Sequence, residues 1–316
     1  MTWIIRPATS EDIPSIVDLL NEVNPREEQT TREMFRHEEG LRRPESEFSR
    51  LLALEAGRVV AMGQVQNSHI RPKHKFWIDI AVHPDARRQG IGSEFEHRLR
   101  EFAVAHGSTE LTANIKANDT PSRGFLESRD YREAYQRFEM ELDVSTFDWS
   151  KFGGWRSRLG DLRLFSMAEA EEGGLERLFE LSMALMVDVP HPEGMPTFTV
   201  DDFRRFSAMP NFRPDGFFVL ADGDRWIGLS GVLVQEGRPA YTAFTAVDRE
   251  YRGRGLATLM KLATIEFVQS LGLTAMRTTN DTVNYPMVAV NEKLGYRRLP
   301  ARVAMKLMIG TGSGPS

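Results

Sequence analysis

A glycine-rich turn occurs twice in this chain, and the two copies are in register. "HPDARRQGIG" follows Val82, and "DREYRGRGLA" follows Val247. Arg87 aligns with Arg252, Gly90 with Gly255 and Gly92 with Ala257, each at an offset of 165 residues. Further on, "FLESRDYRE" (125–133) aligns with "VNEKLGYRR" (290–298) at the same offset, placing Tyr131 on Tyr296. Two unrelated motifs would not keep one register across roughly fifty residues, so the chain is a duplication.

The starts of the copies repeat more loosely. "WIIRPATSEDIPSIVDLLNEV" reads as a short strand, a Thr9 or Ser10 cap with acids in the first turn, then an amphipathic helix. "LRLFSMAEAEEGGLERLFELSMAL" has the same plan. The length of 316 residues suits two domains. The expected division is a domain over 1–145, a packed linker over 146–159 carrying Phe147, Trp149 and Trp155, a domain over 160–310 and a flexible tail over 311–316. Each copy reads as strand, helix, helix, three strands, glycine loop, helix, strand, helix, strand. The central strands are "SRLLALEA", "RVVAMGQVQ" and "KFWIDIAV" in the first copy, and "GFFVLADG", "RWIGLSGVLV" and "AYTAFTAV" in the second. Hairpin turns are expected at Ala56–Gly57, Asp222–Gly223 and Glu236–Gly237. Helices are expected over 91–106 and 256–271, the second of them amphipathic over 256–268. The fold class is α/β, a sandwich with a mixed sheet in each half.

There is no cysteine, which removes disulfides, thiolate catalysis and Cys-based metal sites together. No metal is expected. Net charge is −5, so nothing global draws the chain to nucleic acid or an anionic membrane. No apolar run approaches the ~20 residues of a membrane span, and the start lacks a signal-peptide pattern. The expected location is the cytoplasm.

A strand that ends in a glycine turn and feeds a helix makes an anion site. The first helical N–H groups have no intrahelical partner, and the helix dipole adds partial positive charge. Glycines at 90 and 255 let phosphate approach the backbone, and Arg87, Arg88, Arg252 and Arg254 add charge. Neither copy has the Gly-Lys-Ser/Thr of a triphosphate loop. Gly253, Gly255 and Ala257 lack the third glycine of the dinucleotide fingerprint. What remains is Arg/Gln-x-x-Gly-x-Gly/Ala.

That pattern, preceded by "AVHP" or "AVDR" and followed by "FLESRDY" or "NEKLGY", resembles the GCN5-related N-acetyltransferase (GNAT) superfamily, twice, over nearly the whole chain. The resemblance implies two tandem acyl-CoA N-acyltransferase domains and acetyl-CoA as acyl donor. It implies that the pyrophosphate is held by Val82, Arg87, Arg88, Gln89, Gly90, Ile91 and Gly92 in one copy. In the other the corresponding residues are Val247, Arg252, Gly253, Arg254, Gly255, Leu256 and Ala257. The pantetheine arm would pair with the end of the preceding strand, near 81–83 or 246–248.

The chain departs from the family where proton transfer is concerned. The strand carboxylate is Asp79 in the first copy but Phe244 in the second, and the family's helix Tyr reads Leu126 and Asn291. Polar residues nevertheless gather in the second copy, and Thr245, Asn280, Asn284, Tyr285 and Asn291 are its candidate catalytic residues. Asp188, His191 and Glu193, in a proline-stiffened insertion, are further candidates for moving a proton. The implied reaction is acetyl transfer to a primary amine of a small molecule, with the second copy as catalyst and a monomer or homodimer as the working form. A non-catalytic acyl-CoA scaffold or sensor and a protein N-acetyltransferase are the other readings.

Overall fold

A computed structural model describes residues 3–24, 29–191 and 193–310. The expected tail, 311–316, lies outside the described residues. The chain divides into two compact units. Unit 1 gathers Met1–Gln136, Pro192–Thr197 and Arg302–Ser316; unit 2 gathers Arg137–His191 and Phe198–Ala301.

In chain order the elements are β1 (Ile4–Pro7), α1 (Ile13–Val23), α2 (Arg32–Leu41), β2 (Phe48–Glu55), β3 (Arg58–Asn67), β4 (Lys75–Val82), α3 (Ile91–Ala105), β5 (Glu110–Lys116), α4 (Thr120–Glu127) and β6 (Arg132–Asp143). The order then repeats as β7 (Arg163–Ser166), α5 (Gly174–Met186), α6 (Val200–Ser207), β8 (Phe212–Asp222), β9 (Arg225–Leu233), β10 (Ala240–Val247), α7 (Leu256–Ser270), β11 (Ala275–Asp281), α8 (Tyr285–Lys293), β12 (Arg297–Arg298) and β13 (Arg302–Met308). The sheet of unit 1 has the order β1-β2-β3-β4-β5-β13, and that of unit 2 the order β7-β8-β9-β10-β11-β6. In both, the fourth and fifth strands are parallel and the other pairs antiparallel.

The last strand of each sheet comes from the other copy of the repeat. β13, at the chain's end, pairs with β5 from Arg302↔Lys116 to Met308↔Glu110 and completes unit 1. Residues 137–143 of β6 pair with β11 and complete unit 2. Val303, Met305 and Leu307 of β13 join the core that also holds Phe95 and Leu99 of α3 and Phe76 of β4.

The turn at Ala56–Gly57 has positive φ at both positions (49° and 82°), the backbone a two-residue hairpin requires. The amphipathic expectation for 256–268 does not hold. α7 buries Leu256, Leu259, Met260, Leu262, Ala263, Ile265 and Val268 around most of its circumference. The reason is the segment before β7. Short 3-10 turns at Trp149–Phe152 and Trp155–Leu159 bring Phe152, Trp155 and Leu159 into the core around α7. Trp149 Nε1 donates to Gln269 Oε1 at 2.9 Å. A helix covered on both sides must be apolar on both.

Candidate active site

In unit 2 the parallel pair β10 and β11 is registered only at Ala240↔Met276 and Tyr241↔Arg277. Beyond that point β10 stays paired with β9 as far as Val247↔Gly228, and β11 with β6 as far as Asp281↔Arg137. The two strands therefore part, and a wedge opens between them with its apex at Tyr241 and its mouth beside the glycine loop. A register shift between Thr242 and Phe244 bends β10 where the parting begins. Unit 1 has the same arrangement: β4 and β5 pair only from Lys75↔Glu110 to Trp77↔Thr112.

The loop at the mouth of the unit 2 wedge is held by side chains, so its backbone is free to bind. Arg252 Nε donates to Val247 O at 3.0 Å, and its guanidinium also bonds Asp188 Oδ2 at 2.6 Å. Arg249 bonds the other Asp188 oxygen. Tyr251 donates to Asp222 at 2.8 Å, and Arg225 pairs with Asp248 and Glu250. Gly253 and Gly255 sit at φ +77° and +76°, and Gly255 is the N-cap of α7. Among the described residues no acceptor faces the N–H groups of Gly253, Arg254, Gly255, Leu256 or Ala257. Five N–H donors without a backbone partner at a helix N-terminus suit a diphosphate. Arg254 lies over the Tyr251 ring, 5.6 Å from its centroid.

The loop of unit 1 is built alike. Arg87 Nε donates to Val82 O at 3.0 Å, matching Arg252 on Val247. Gly90 caps α3 at φ +88°, Ile91 is buried, and a Cβ at Gly92 would lie 3.4 Å from the Phe125 ring. Trp3 Nε1 donates to Gln89 O. Arg88 takes φ +62° where unit 2 has Gly253, a conformation that costs an ordinary residue roughly 1–2 kcal/mol.

One cation at the unit 2 loop escaped sequence reasoning. Arg158 Nη2 stands 3.7 Å from where a Cβ on Gly255 would lie. No local motif marks it; its place follows from the turns that pack on α7. A cation beside the loop adds charge-assisted attraction for an anion held there. Arg158→Ala is expected to lower the affinity of the loop for a diphosphate ligand about tenfold, with a shallower salt dependence, by calorimetry at two ionic strengths. An unchanged affinity would place Arg158 outside the site.

The structure separates the expected catalytic residues into two groups. Asn280 and Asn291 are buried together, and each directs Nδ2 at Met140 Sδ, at 3.7 and 3.9 Å. Thr245 lies on β10 with its hydroxyl 2.9 Å from that of Ser230. Asn284 occupies the N-cap of α8 without a side-chain capping bond, and Tyr285 is 73% exposed. Asp188 is engaged by Arg249 and Arg252, which hold its carboxyl below the ordinary range, so it is a brace for the loop. His191 bonds Met186 O through Nε2. Glu193 belongs to unit 1, buried beside Arg71. A cavity of about 520 Å³ lies next to the loop on the α5 side, lined in part by Glu180, Asp188, Asp248 and Trp226.

Asp79, two residues past the last β4–β5 pair of unit 1, accepts from Gln64 Nε2 at 3.2 Å. Gln64 in turn accepts from Arg50, which grips Glu39 with both nitrogens. Asp79 itself is exposed to solvent.

Paired sheets of this order, each with a splayed parallel pair and an anion-ready loop at its mouth, define an acyltransferase fold. The chain belongs to the acetyltransferase (GNAT) family, whose pattern matches residues 13–131 and 176–296. It is similar to mycothiol acetyltransferases of Actinosynnema mirum (27% identity over 72% of this chain and 74% of that one) and Pseudarthrobacter chlorophenolicus (25%, over 70% and 67%). Among solved structures it shares its fold with a tandem GNAT protein from the clavulanic acid biosynthesis pathway (TM-score 0.76, 22% identity, all of both chains). It also shares it with a GCN5-related N-acetyltransferase of Sphaerobacter thermophilus (TM-score 0.70, 15%, 96% of this chain and 95% of that one). Among the described residues no helix is long and apolar enough to cross a membrane.

Proposed function

We propose that the chain transfers an acetyl group from acetyl-CoA to a primary amine of a small molecule, with unit 2 as the catalyst. The observation that carries this reading is the conjunction in unit 2 of a five-donor loop and a strand edge, 242–247, that lacks its parallel neighbour. The loop, with Arg254 and Arg158, would hold the diphosphate. The bare edge of β10 offers N–H and C=O groups to the amides of a pantetheine arm, as a sheet edge takes an added strand. The thioester supplies the activated acyl group. Unit 2 contributes orientation and water exclusion, which are the main requirements for attack by a neutral amine. The small-molecule acceptor is supported by the mycothiol acetyltransferase relatives.

One observation favours a binding-only role for unit 2: Phe244 stands where unit 1 has Asp79, so β10 carries no carboxylate at that place. A panel of small amines incubated with acetyl-CoA and the full chain, read by release of free thiol, separates the two. Turnover that survives Gly90→Glu and is lost in Gly255→Glu supports catalysis by unit 2. Binding of acetyl-CoA without turnover of any amine supports the second reading.

A further inference from the structure

The apex of the unit 2 wedge is polar and incompletely bonded. Lys261 of α7 is 1% exposed, and its Nζ has no hydrogen-bond partner; it lies over the Tyr296 ring, 4.9 Å from the centroid. The Tyr296 hydroxyl is directed at Met276 Sδ, 4.0 Å away, and faces Thr242. Met276 belongs to the first of the two β10–β11 pairs, and Thr242 is the first residue of β10 beyond the second. Thr242 Oγ1 is buried with the Tyr296 hydroxyl as the polar group facing it, and Asn291 Oδ1 is buried without a hydrogen-bond partner. Asn280 and Asn291 direct their amide donors only at the Met140 thioether, a weak acceptor.

Buried polar atoms are almost always bonded, so the unbonded Lys261 Nζ beside Tyr296, at the level of Thr242, demands an explanation. An unpaired buried lysine is especially costly. The Lys261 amine is lowered to about 7 by desolvation alone; no carboxylate on β8, β9, β10 or the 155–159 turn, which pack against α7, or on β11 or α8 offsets it. The titratable group facing it is Tyr296, whose burial keeps the phenol protonated.

A ligand anchored by its phosphates at Gly253–Ala257 and lying along 242–247 runs ~20 Å down the strand and ends at this cluster. An acetyl methyl there would leave Lys261 unbonded. A terminal carboxylate brings two acceptor oxygens to the Lys261 ammonium and the Thr242 hydroxyl.

We propose that the acyl donor preferred by unit 2 is a coenzyme A thioester whose short acyl chain ends in a carboxylate, recognised by Lys261 and Thr242. This rests on the coenzyme A reading given above and refines it.

The test is calorimetry on the full chain carrying Gly90→Glu, so that only the unit 2 loop can bind, with coenzyme A, acetyl-, malonyl- and succinyl-coenzyme A. The carboxylated donors are expected to bind at least about tenfold more tightly than acetyl-coenzyme A near pH 6.5. Because a bound carboxylate favours the ammonium, their advantage shrinks as pH rises toward about 9, with proton uptake on binding near pH 8. Lys261→Met, of similar volume and uncharged, is expected to equalise the donors at every pH; Thr242→Val narrows the gap without abolishing it. Equal binding of all thioesters by the wild type across this pH range overturns the proposal while leaving the coenzyme A reading intact. So does a preference that survives Lys261→Met. Failure of coenzyme A itself to bind overturns both.

Discussion

Gly255→Glu is expected to abolish acetyl-CoA binding to unit 2 while leaving the fold in place. Gly255 sits at φ +76°, where an L-residue is strained by roughly 1–2 kcal/mol. A Cβ there meets nothing nearer than Arg158 at 3.7 Å, so the side chain fits and points at the loop's open face. The carboxylate would then lie where the diphosphate must lie, and could take Arg158 for itself. Together these should cost more than a hundredfold in affinity, about 2.8 kcal/mol. Gly90→Glu makes the same change in unit 1, where nothing lies within 4 Å of the added Cβ. Titrating both variants counts the working loops: two sites in the wild type and one in each variant mean that both units bind. Wild-type affinity in Gly255→Glu would sink the assignment of the diphosphate to this loop.

The second large effect concerns the chain's end. Truncation after Ala301 is expected to unfold unit 1, although unit 1 is mostly residues 1–136. β13 supplies a seven-residue ladder to β5 and buries Val303, Met305 and Leu307. Burying each such side chain is worth about 1.5–3 kcal/mol, so the three give roughly 5–9 kcal/mol before the ladder is considered. That matches the whole stability of a typical domain, about 5–15 kcal/mol. Hydrogen exchange resolves the outcome: amides of β3, β4 and β5 should lose protection while those of β8, β9 and β10 keep it. Retained protection in β5 would mean that its edge tolerates exposure.

Both effects depend on features that differ in how visible they are from residues alone. The strands 75–82 and 240–247 end where the sequence places them, because alternating apolar residues run directly into turn residues. The glycine loops were legible for a similar reason: left-handed backbone at a helix mouth selects glycine locally. Asp130 at φ +65° and Gly295 at φ +94° show the same rule relaxed and kept at matched positions. Long-range facts left weaker traces. α7 reads as a surface helix until the turns at 155–159 are seen to cover it. Arg158 reaches the loop only because those turns do so. The choice of edge by β6 and β13 has no local signal, since each carries an alternation that would suit either sheet. Asp188 reads as a free acid in an insertion, and its engagement by two arginines is tertiary. Lys261 offered one clue, a single charge inside "LATLMKLATI". Its burial, unlike that of its apolar neighbours, makes it a functional candidate.

The exchange of final strands also governs how the protein is born. β5 ends at Lys116 and its partner β13 begins at Arg302, so a ribosome working at ~5–20 residues per second leaves roughly 10–40 s between them. Throughout that interval the first copy waits with one sheet edge bare and its apolar face unfinished, the state most open to chaperones and to aggregation. Unit 2 has everything it needs once Ala301 has emerged. The copy that is made first is therefore the copy that is finished last, and slowing translation should lengthen its exposure without touching its neighbour.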